Sequence, residues 1–448
     1  MSDRLLSVGM DVGTTSTQLV VSQLVVENRA TGFAVPELEI TDRKILYRSP
    51  IYFTPLLEGN LVDGMKLRGI VEKEYQKAGI TRGEVDTGAI IVTGETSRRE
   101  NAQTVLEALS EYAGDFVVAT AGPDLESVLA AKGSGAVEHS AQTGKTVMHM
   151  DIGGGTSNLS LIRDGQILRT GCLNVGGRLV KFSESGEVIY LSEVLAGLTD
   201  MRLGEIPTKE QRRALAEKLT EALEMAAGRR DSGQLLHRLM TREAARDWDP
   251  PEEPVVVSFS GGVADCIAKD HPVLAFGDLG PELGQAIRKS ALCTGEHILG
   301  AETIRATVIG AGCYSTQLSG STVYYQNVQF PLKNLPVVRI SDLSGLKETM
   351  AKQEGPVIFS LHGIGASGYR ELCHLAENLA AQASVPIYLC MEPDMAKALG
   401  QAMAVRLPPQ AQILCIDAVC VDAGSYLDIG APVGGALPVV VKTLVLSK

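Results

Sequence analysis

A nine-residue pattern occurs twice in this chain, 140 positions apart: Asp11-Val12-Gly13-Thr14-Thr15-Ser16-Thr17-Gln18-Leu19 and Asp151-Ile152-Gly153-Gly154-Gly155-Thr156-Ser157-Asn158-Leu159. Each copy is entered by an apolar strand and left by another, Gln18 to Val26 in the first and Asn158 to Ile162 in the second. In both, an aspartate ends a strand, and a Gly/Thr/Ser turn offers backbone N–H groups and hydroxyls before the chain runs back. Such turns form anion-binding nests, because glycine lets the backbone approach an oxyanion with no side chain in the way. The chain therefore builds one phosphate-sized hairpin twice.

At 448 residues the chain has room for two or three domains of about 150 residues each. Glycine is abundant at 47 residues while aromatics are only 4%, which suits a turn-rich α/β protein better than a β-sandwich. A net charge of −12 argues against nucleic acid or an anionic membrane as the main partner. No apolar run approaches the roughly 18 residues that span a bilayer, and the first strand, Leu5 to Met10, begins almost at once. Neither a signal peptide nor an anchor is expected, and the expected location is cytoplasmic. The eight cysteines (172, 266, 293, 313, 373, 390, 415 and 420) never form C-x-x-C, so reduced thiols are the expectation.

Strands and helices alternate after the first hairpin. Asp63 to Lys77 reads as a helix, Gly88 to Val92 as a strand, Arg98 to Tyr112 as a helix and Phe116 to Ala119 as a strand, which is α/β wiring. Pro123 suits a first helical position, and Leu125, Val128 and Leu129 make a short apolar face that closes at Gly133 and Gly135. From Thr208, with Gln211 as capping-box partner, Leu215, Leu219, Leu223 and Ala226 recur at helical spacing. Gly228 to Pro254, with the only tryptophan at 248, reads as a partly exposed connection. The strand Val255 to Phe259 then breaks at Ser260-Gly261-Gly262, where two glycines leave room for a flat ring or a ribose.

Taken in order, the Asp-Gly-Thr hairpin, the Asp-Gly-Gly-Gly-Thr hairpin and the strand followed by Gly-Gly resemble the phosphate-1, phosphate-2 and adenosine motifs of the actin-like ATPases. Glu126, Ala130, Ala131, Gly133 and Gly135 resemble the connecting segment of bacterial actins, and Phe276-Gly277-Asp278 to Ile287 the segment after the adenosine motif. The resemblance covers roughly residues 5 to 290. It implies a duplicated two-lobed (ribonuclease H-like) α/β fold, with lobes at 1–145 and 146–295 and an additional α/β region at 296–448.

It also implies chemistry. Phosphoryl transfer from ATP needs Mg²⁺ bridging phosphate oxygens, donors for the phosphate charge and an aligned nucleophile. Asp11 and Asp151 would hold the magnesium largely through its waters, since Mg²⁺ gives up its hydration shell reluctantly. Gly13, Thr14, Thr15, Gly153, Gly154, Gly155 and Thr156 would carry the phosphates, Gly261 and Gly262 the adenosine, and Glu126 would position the attacking water.

Three other signals weigh less. Gly144-Lys145-Thr146 resembles the end of a P-loop, but His139 stands where the first glycine belongs and a strand follows. Gly363-Ile364-Gly365-Ala366-Ser367-Gly368, between the strand Val357 to Leu361 and a helix to about Ala383, has the form of a dinucleotide fingerprint, with Glu392 after the next strand. Beside an ATP constellation it reads as a Gly-rich turn in an extra βαβ unit. Ser360-Leu361-His362-Gly363-Ile364-Gly365 resembles a base-off cobalamin motif, with serine replacing the aspartate that would partner the histidine. His149, inside an apolar strand, reads as a core residue.

Longer stretches are similar to one branch of that superfamily, the ethanolamine ammonia-lyase reactivating factors (ethanolamine utilisation protein EutA). They are Thr93-Gly94-Glu95-Thr96, Ala121 to Glu126, Ala301 to Gly312 and Val439 to Leu444. The resemblance implies that ATP and Mg²⁺ power release of damaged cobalamin from the lyase. The lyase would be the partner, cobalamin would be met only through it, and a bacterial microcompartment is a second possible location. Two classes stay open beside it: an actin-fold small-molecule kinase and a filament-forming actin relative.

Overall fold

The computed structural model describes residues 3–13, 16–28, 38–57, 61–92, 109, 118–120, 123–241, 248–253, 255–300, 303–314, 316–319, 322–343, 346–353, 355–361, 363–382, 386–417, 419, 421, 425–433 and 435–443. The expected helix from Arg98 to Tyr112 lies outside them, apart from Leu109.

Two sheets share one plan. In the first, β1 (Asp3–Val12) pairs antiparallel with β2 (Ser16–Asn28), β2 pairs antiparallel with β3 (Leu38–Arg48), and the short β4 (Tyr52–Phe53) also joins β2. β5 (Thr87–Val92) and β6 (Val118–Thr120) extend the other side in parallel, giving the order β3-β2-β1-β5-β6. The second sheet holds β7 (Val147–Ile152), β8 (Ser157–Arg163), β9 (Gln166–Leu173), β12 (Val256–Ser260) and β13 (His297–Leu299) in the order β13-β12-β7-β8-β9. Its pairings repeat those of the first, antiparallel for β7, β8 and β9 and parallel for β7, β12 and β13. The hairpin β10 (Val180–Phe182) and β11 (Val188–Leu191) forms a small sheet of its own.

Residue size decides which side of β1 meets what. Val8, Met10 and Val12 face a core shared with Leu67, Val71 and Tyr75 of the helix Gly64–Ala78. That helix starts at Asp63, whose Oδ1 accepts from Lys66 N at 3.0 Å, and stops at Gly79, left-handed at φ 67°. The opposite side carries Ser7 and Gly9, small enough for the helix Ala306–Tyr314 to lie against the strand, with Ser7 Oγ donating to Gly312 O at 2.5 Å. In the second lobe, Leu215, Leu219 and Leu223 of the helix Lys209–Ala226 pack with Met148, Met150 and Phe259. Thr208 and Gln211 form the expected reciprocal cap, Gln211 N to Thr208 Oγ1 at 3.2 Å and Thr208 N to Gln211 Oε1 at 2.8 Å. Thr208→Ala is expected to cost about 1 kcal/mol, read as a lower denaturation midpoint.

The helix Pro123–Gly133 leads from the first sheet to the second, and Ala306–Tyr314 returns to the first. They cross with backbones in contact: a Cβ on Gly133 would lie 1.8 Å from Ala306 O, and one on Gly310 would lie 2.1 Å from Leu129 O.

Residues past 296 do not all belong to a separate unit, which departs from the expected boundary: His297–Leu299 is a strand of the second sheet, and Ala306–Tyr314 packs on the first. After them comes an eight-stranded sheet made from β14 (Thr316–Leu318), β15 (Tyr324–Gln326), β16 (Leu332–Ile340), β17 (Ile358–Leu361), β18 (Ile387–Met391), β19 (Ile413–Asp417), β20 (Ser425–Ile429) and β21 (Pro438–Thr443). β16 to β19 are parallel, joined by helices, and the remaining pairings are antiparallel. The described part of the expected connection, 228–241 and 248–253, is more than a connection: it contains the helix Gln234–Leu239, and the Trp248 ring lies flush on Gly171. Only glycine leaves room there, since a Cβ would come 2.5 Å from the ring.

Candidate functional site

Both hairpins close in the same way. Gly13 N donates to Ser16 O at 2.9 Å, and Gly153 N donates to Thr156 O at 2.9 Å. Asp11 stands opposite Gln18 in the first ladder and Asp151 opposite Asn158 in the second, so each copy sets a carboxylate and an amide side by side on one face. Hydroxyls one residue earlier lock both turns: Thr17 Oγ1 meets Thr54 Oγ1, which donates to Gly13 O at 2.7 Å, and Ser157 Oγ donates to Val175 O at 2.7 Å. Thr14 and Thr15, at the tip of the first turn, lie outside the described residues.

The two hairpins converge on one turn, Thr303–Thr307. Gln18 Nε2 donates to Ile304 O at 3.3 Å, Thr307 Oγ1 donates to Asp151 Oδ2 at 3.4 Å, and Gly261 N donates to Thr303 O at 2.9 Å. Arg305 reaches further into the first lobe, from Nη2 to Ser49 O at 3.2 Å. Spacing alone does not assign this turn a role; the signal in the sequence is that it lies within Ala301 to Gly312, one of the stretches similar to the reactivating factors. Its role comes from the helix that it starts.

Asp151 accepts from Ser260 Oγ as well, and burial pushes its carboxyl above the usual range against the pull of these two hydroxyls. Glu126, 8% exposed on the helix Pro123–Gly133, accepts from Asn158 Nδ2 at 2.8 Å and so stands beside the Asp151 ladder. Gln18 Oε1 and Asn158 Oδ1, the second atoms of the paired amides, are buried with no hydrogen-bond partner among the described residues. Two orphaned acceptors at equivalent places in the two copies suit a ligand that brings donors, such as a hydrated cation.

The second turn is braced from behind. Gly177 N donates to Gly153 O at 3.1 Å and Arg178 N to Gly154 O at 2.6 Å, while Gly176 packs against Gly154 where a Cβ would meet backbone at 2.3 Å. Arg178 Nε donates to Asp278 Oδ2 at 3.0 Å. Gly155 is exposed, with open space where a Cβ would stand. Gly261, at φ 87°, sits so close to the end of β7 that a Cβ would lie 2.3 Å from Ile152 O, whereas among the described residues a Cβ on Gly262 would have only Ile304 Cδ1 near it, at 4.0 Å. Packing alone accounts for Gly261, and Gly262 keeps the open side.

The competing motifs take other roles. Gly144 is the left-handed stop of the helix Ala136–Thr143, and Lys145 Nζ pairs with Glu296 Oε2 at 2.6 Å. In the Gly363–Gly368 loop, Glu371 Oε2 accepts from Ser367 N at 2.8 Å and from Ser367 Oγ at 2.7 Å, so one amide at the helix start is already engaged by a side chain. His362 lies outside the described residues. Among the described residues, no group of three or more His, Cys, Asp or Glu is placed to hold a metal ion, and no helix is long and apolar enough to cross a membrane.

A mixed α/β chain with one sheet plan used twice, and a loop pair converging between the copies, has the two-lobed fold of the actin-like ATPases. The chain belongs to the ethanolamine utilisation protein EutA family, whose model matches residues 3–447. It is 36% identical over 469 aligned positions to proteins named ethanolamine ammonia-lyase reactivase EutA from Salmonella typhimurium and Escherichia coli, with 98% of each chain covered in both comparisons. Among solved structures it is similar to the Aquifex aeolicus PPX-GPPA enzyme, at 13% identity and TM-score 0.44, over 69% of this chain and 99% of that one.

Proposed function

We propose that this chain is an ATP-dependent reactivase that frees damaged cobalamin from ethanolamine ammonia-lyase, with Mg²⁺ and ATP bound between the two lobes. The observation that carries the reading is the convergence of both aspartate-ended hairpins on Thr303–Thr307. The relatives' printed name supplies the partner.

Magnesium would neutralise charge on the β- and γ-phosphate oxygens during phosphoryl transfer. Asp11 and Asp151 would hold it through its waters, and Gln18 Oε1 and Asn158 Oδ1 would accept from the same waters. Amides of Gly154 and Gly155, with Thr14, Thr15 and Thr156, would donate to phosphate oxygens, while the Gly153 amide closes the turn on Thr156 O. Glu126, held by Asn158, orients the attacking water. Gly262 leaves space for the nucleoside. Binding then favours one arrangement of the lobes, and that arrangement grips the lyase in a form from which spent corrinoid escapes. The eight-stranded unit is assigned the lyase contact. The lyase, rather than free cobalamin, nucleic acid or membrane, is the partner, in the cytoplasm or a microcompartment.

The test is ATP hydrolysis with and without purified lyase loaded with inactive cobalamin. Stimulation by loaded lyase, with none from lyase carrying intact cofactor, is the expected result. Turnover that rises with one small metabolite and ignores the lyase would instead indicate a kinase, and ATP-dependent sedimentation would indicate a filament.

A further inference from the structure

His149 is fully buried, yet it is not an apolar core residue: three serine hydroxyls surround it. Its Nδ1 lies 3.1 Å from Ser258 Oγ and 3.4 Å from Ser134 Oγ, and its Nε2 lies 3.0 Å from Ser260 Oγ. Ser260 Oγ in turn contacts Asp151 Oδ1. The strand register produces this line, since β12 runs parallel to β7 with Ser258 level with His149 and Ser260 level with Asp151.

Counting protons assigns a direction to every bond. An ionised carboxylate can only accept, so the single Ser260 proton goes to Asp151. Ser260 oxygen is then left to accept, and the donor facing it is Nε2–H. A neutral imidazole has one N–H, so Nδ1 accepts from the Ser258 hydroxyl. The result is a chain of donors pointing one way, Ser258 to His149 to Ser260 to Asp151, in which each bond polarises the next.

We infer that His149 is a positioning residue for Asp151, acting through Ser260 to fix where that carboxylate points. The inference rests on the proposal that Asp151 serves a magnesium-bound nucleotide. Without the Nε2–H donor, Ser260 Oγ loses the partner that holds its hydroxyl toward Asp151 and can turn away, and among the described residues Asp151 then keeps the long Thr307 contact on its other oxygen. Partners of this kind, one step removed from a metal's ligands, typically change metal affinity by about 10–100-fold when removed.

Two variants remove the relay at different points, His149→Phe and Ser260→Ala, and a third, His149→Gln, restores a donor at the Nε2 position. Calorimetric titration with ATP is run in the presence of magnesium and again in chelator. The expected result is a loss of about 10–100-fold in MgATP affinity for His149→Phe and for Ser260→Ala, recovery in His149→Gln, and no change in magnesium-free ATP binding. A purely structural role would weaken both titrations together and would not be rescued. Nitrogen NMR of the unliganded wild-type protein gives a second readout, with the His149 proton expected on Nε2. That proton found on Nδ1, or a folded Ser260→Ala protein that binds MgATP like wild type, overturns the inference. Wild-type protein that binds no MgATP at all overturns the nucleotide reading itself, a result distinct from either of these.

Discussion

Asp11→Asn and Asp151→Asn are each expected to lower ATP turnover by at least about a hundredfold and to abolish rescue of cyanocobalamin-inhibited lyase. Each change keeps the shape of the side chain but removes a charge and puts a donor where the proposed magnesium water shell would need an acceptor. Stability separates this from simple unfolding. Burial raises the Asp151 carboxyl above its unfolded value, so its ionisation works against folding at neutral pH, and the effect fades as pH falls through the folded value. Asp151→Asn removes that penalty, and its thermal midpoint is expected at or above wild type at pH 7 while its activity is lost. Turnover is measured by phosphate release and rescue by recovery of lyase activity on the same samples. A variant that has lost hydrolysis but rescues at full rate would break the proposed coupling between cleft and lyase.

The hairpins were legible in the sequence because local chemistry builds them. An aspartate, a run of glycine and hydroxyl residues and flanking apolar strands need no distant partner to form a turn, and duplication showed itself as a fixed offset of 140. The cap at Thr208 and the helix from Asp63 were readable for the same reason. What the sequence hid depends on pairing between distant segments. Thr303–Thr307 gains its meaning only when Gln18 and Asp151 both reach it, from 286 and 156 positions away. His149 reads as core because its strand is apolar, and the serines that make it polar arrive on a neighbouring strand 109 and 111 positions later. Glu126 gains its place beside the second hairpin from Asn158, a residue the turn motif leaves unremarked. The boundary at 296 failed to capture the return of the chain to both lobes, since a three-residue strand and a glycine-rich helix carry too little periodicity to reveal which sheet they join.

Gly133→Ala and Gly310→Ala should be the most destabilising single-methyl additions in the two lobes. The added carbon at 133 would lie 1.8 Å from Ala306 O and 2.7 Å from Gly310 N, and that at 310 would lie 2.1 Å from Leu129 O. These neighbours are backbone atoms, so no side chain can rotate away, and relief requires the two lobe-linking helices to separate. Overpacking of this kind is expected to cost about 3 kcal/mol or more, which lowers the first thermal transition by roughly 6–12 °C. Separating the helices also shifts Glu126, seven residues before Gly133 on the same helix, relative to Asn158, so ATP turnover should fall even where the protein stays folded. Gly155→Ala is the contrast, because a Cβ there meets nothing within 4 Å. Its stability is expected within about 0.5 kcal/mol of wild type, with any loss confined to nucleotide binding. Differential scanning calorimetry on the three variants decides the matter, and a Gly133→Ala protein that melts with wild type would show that the helices do not cross in contact.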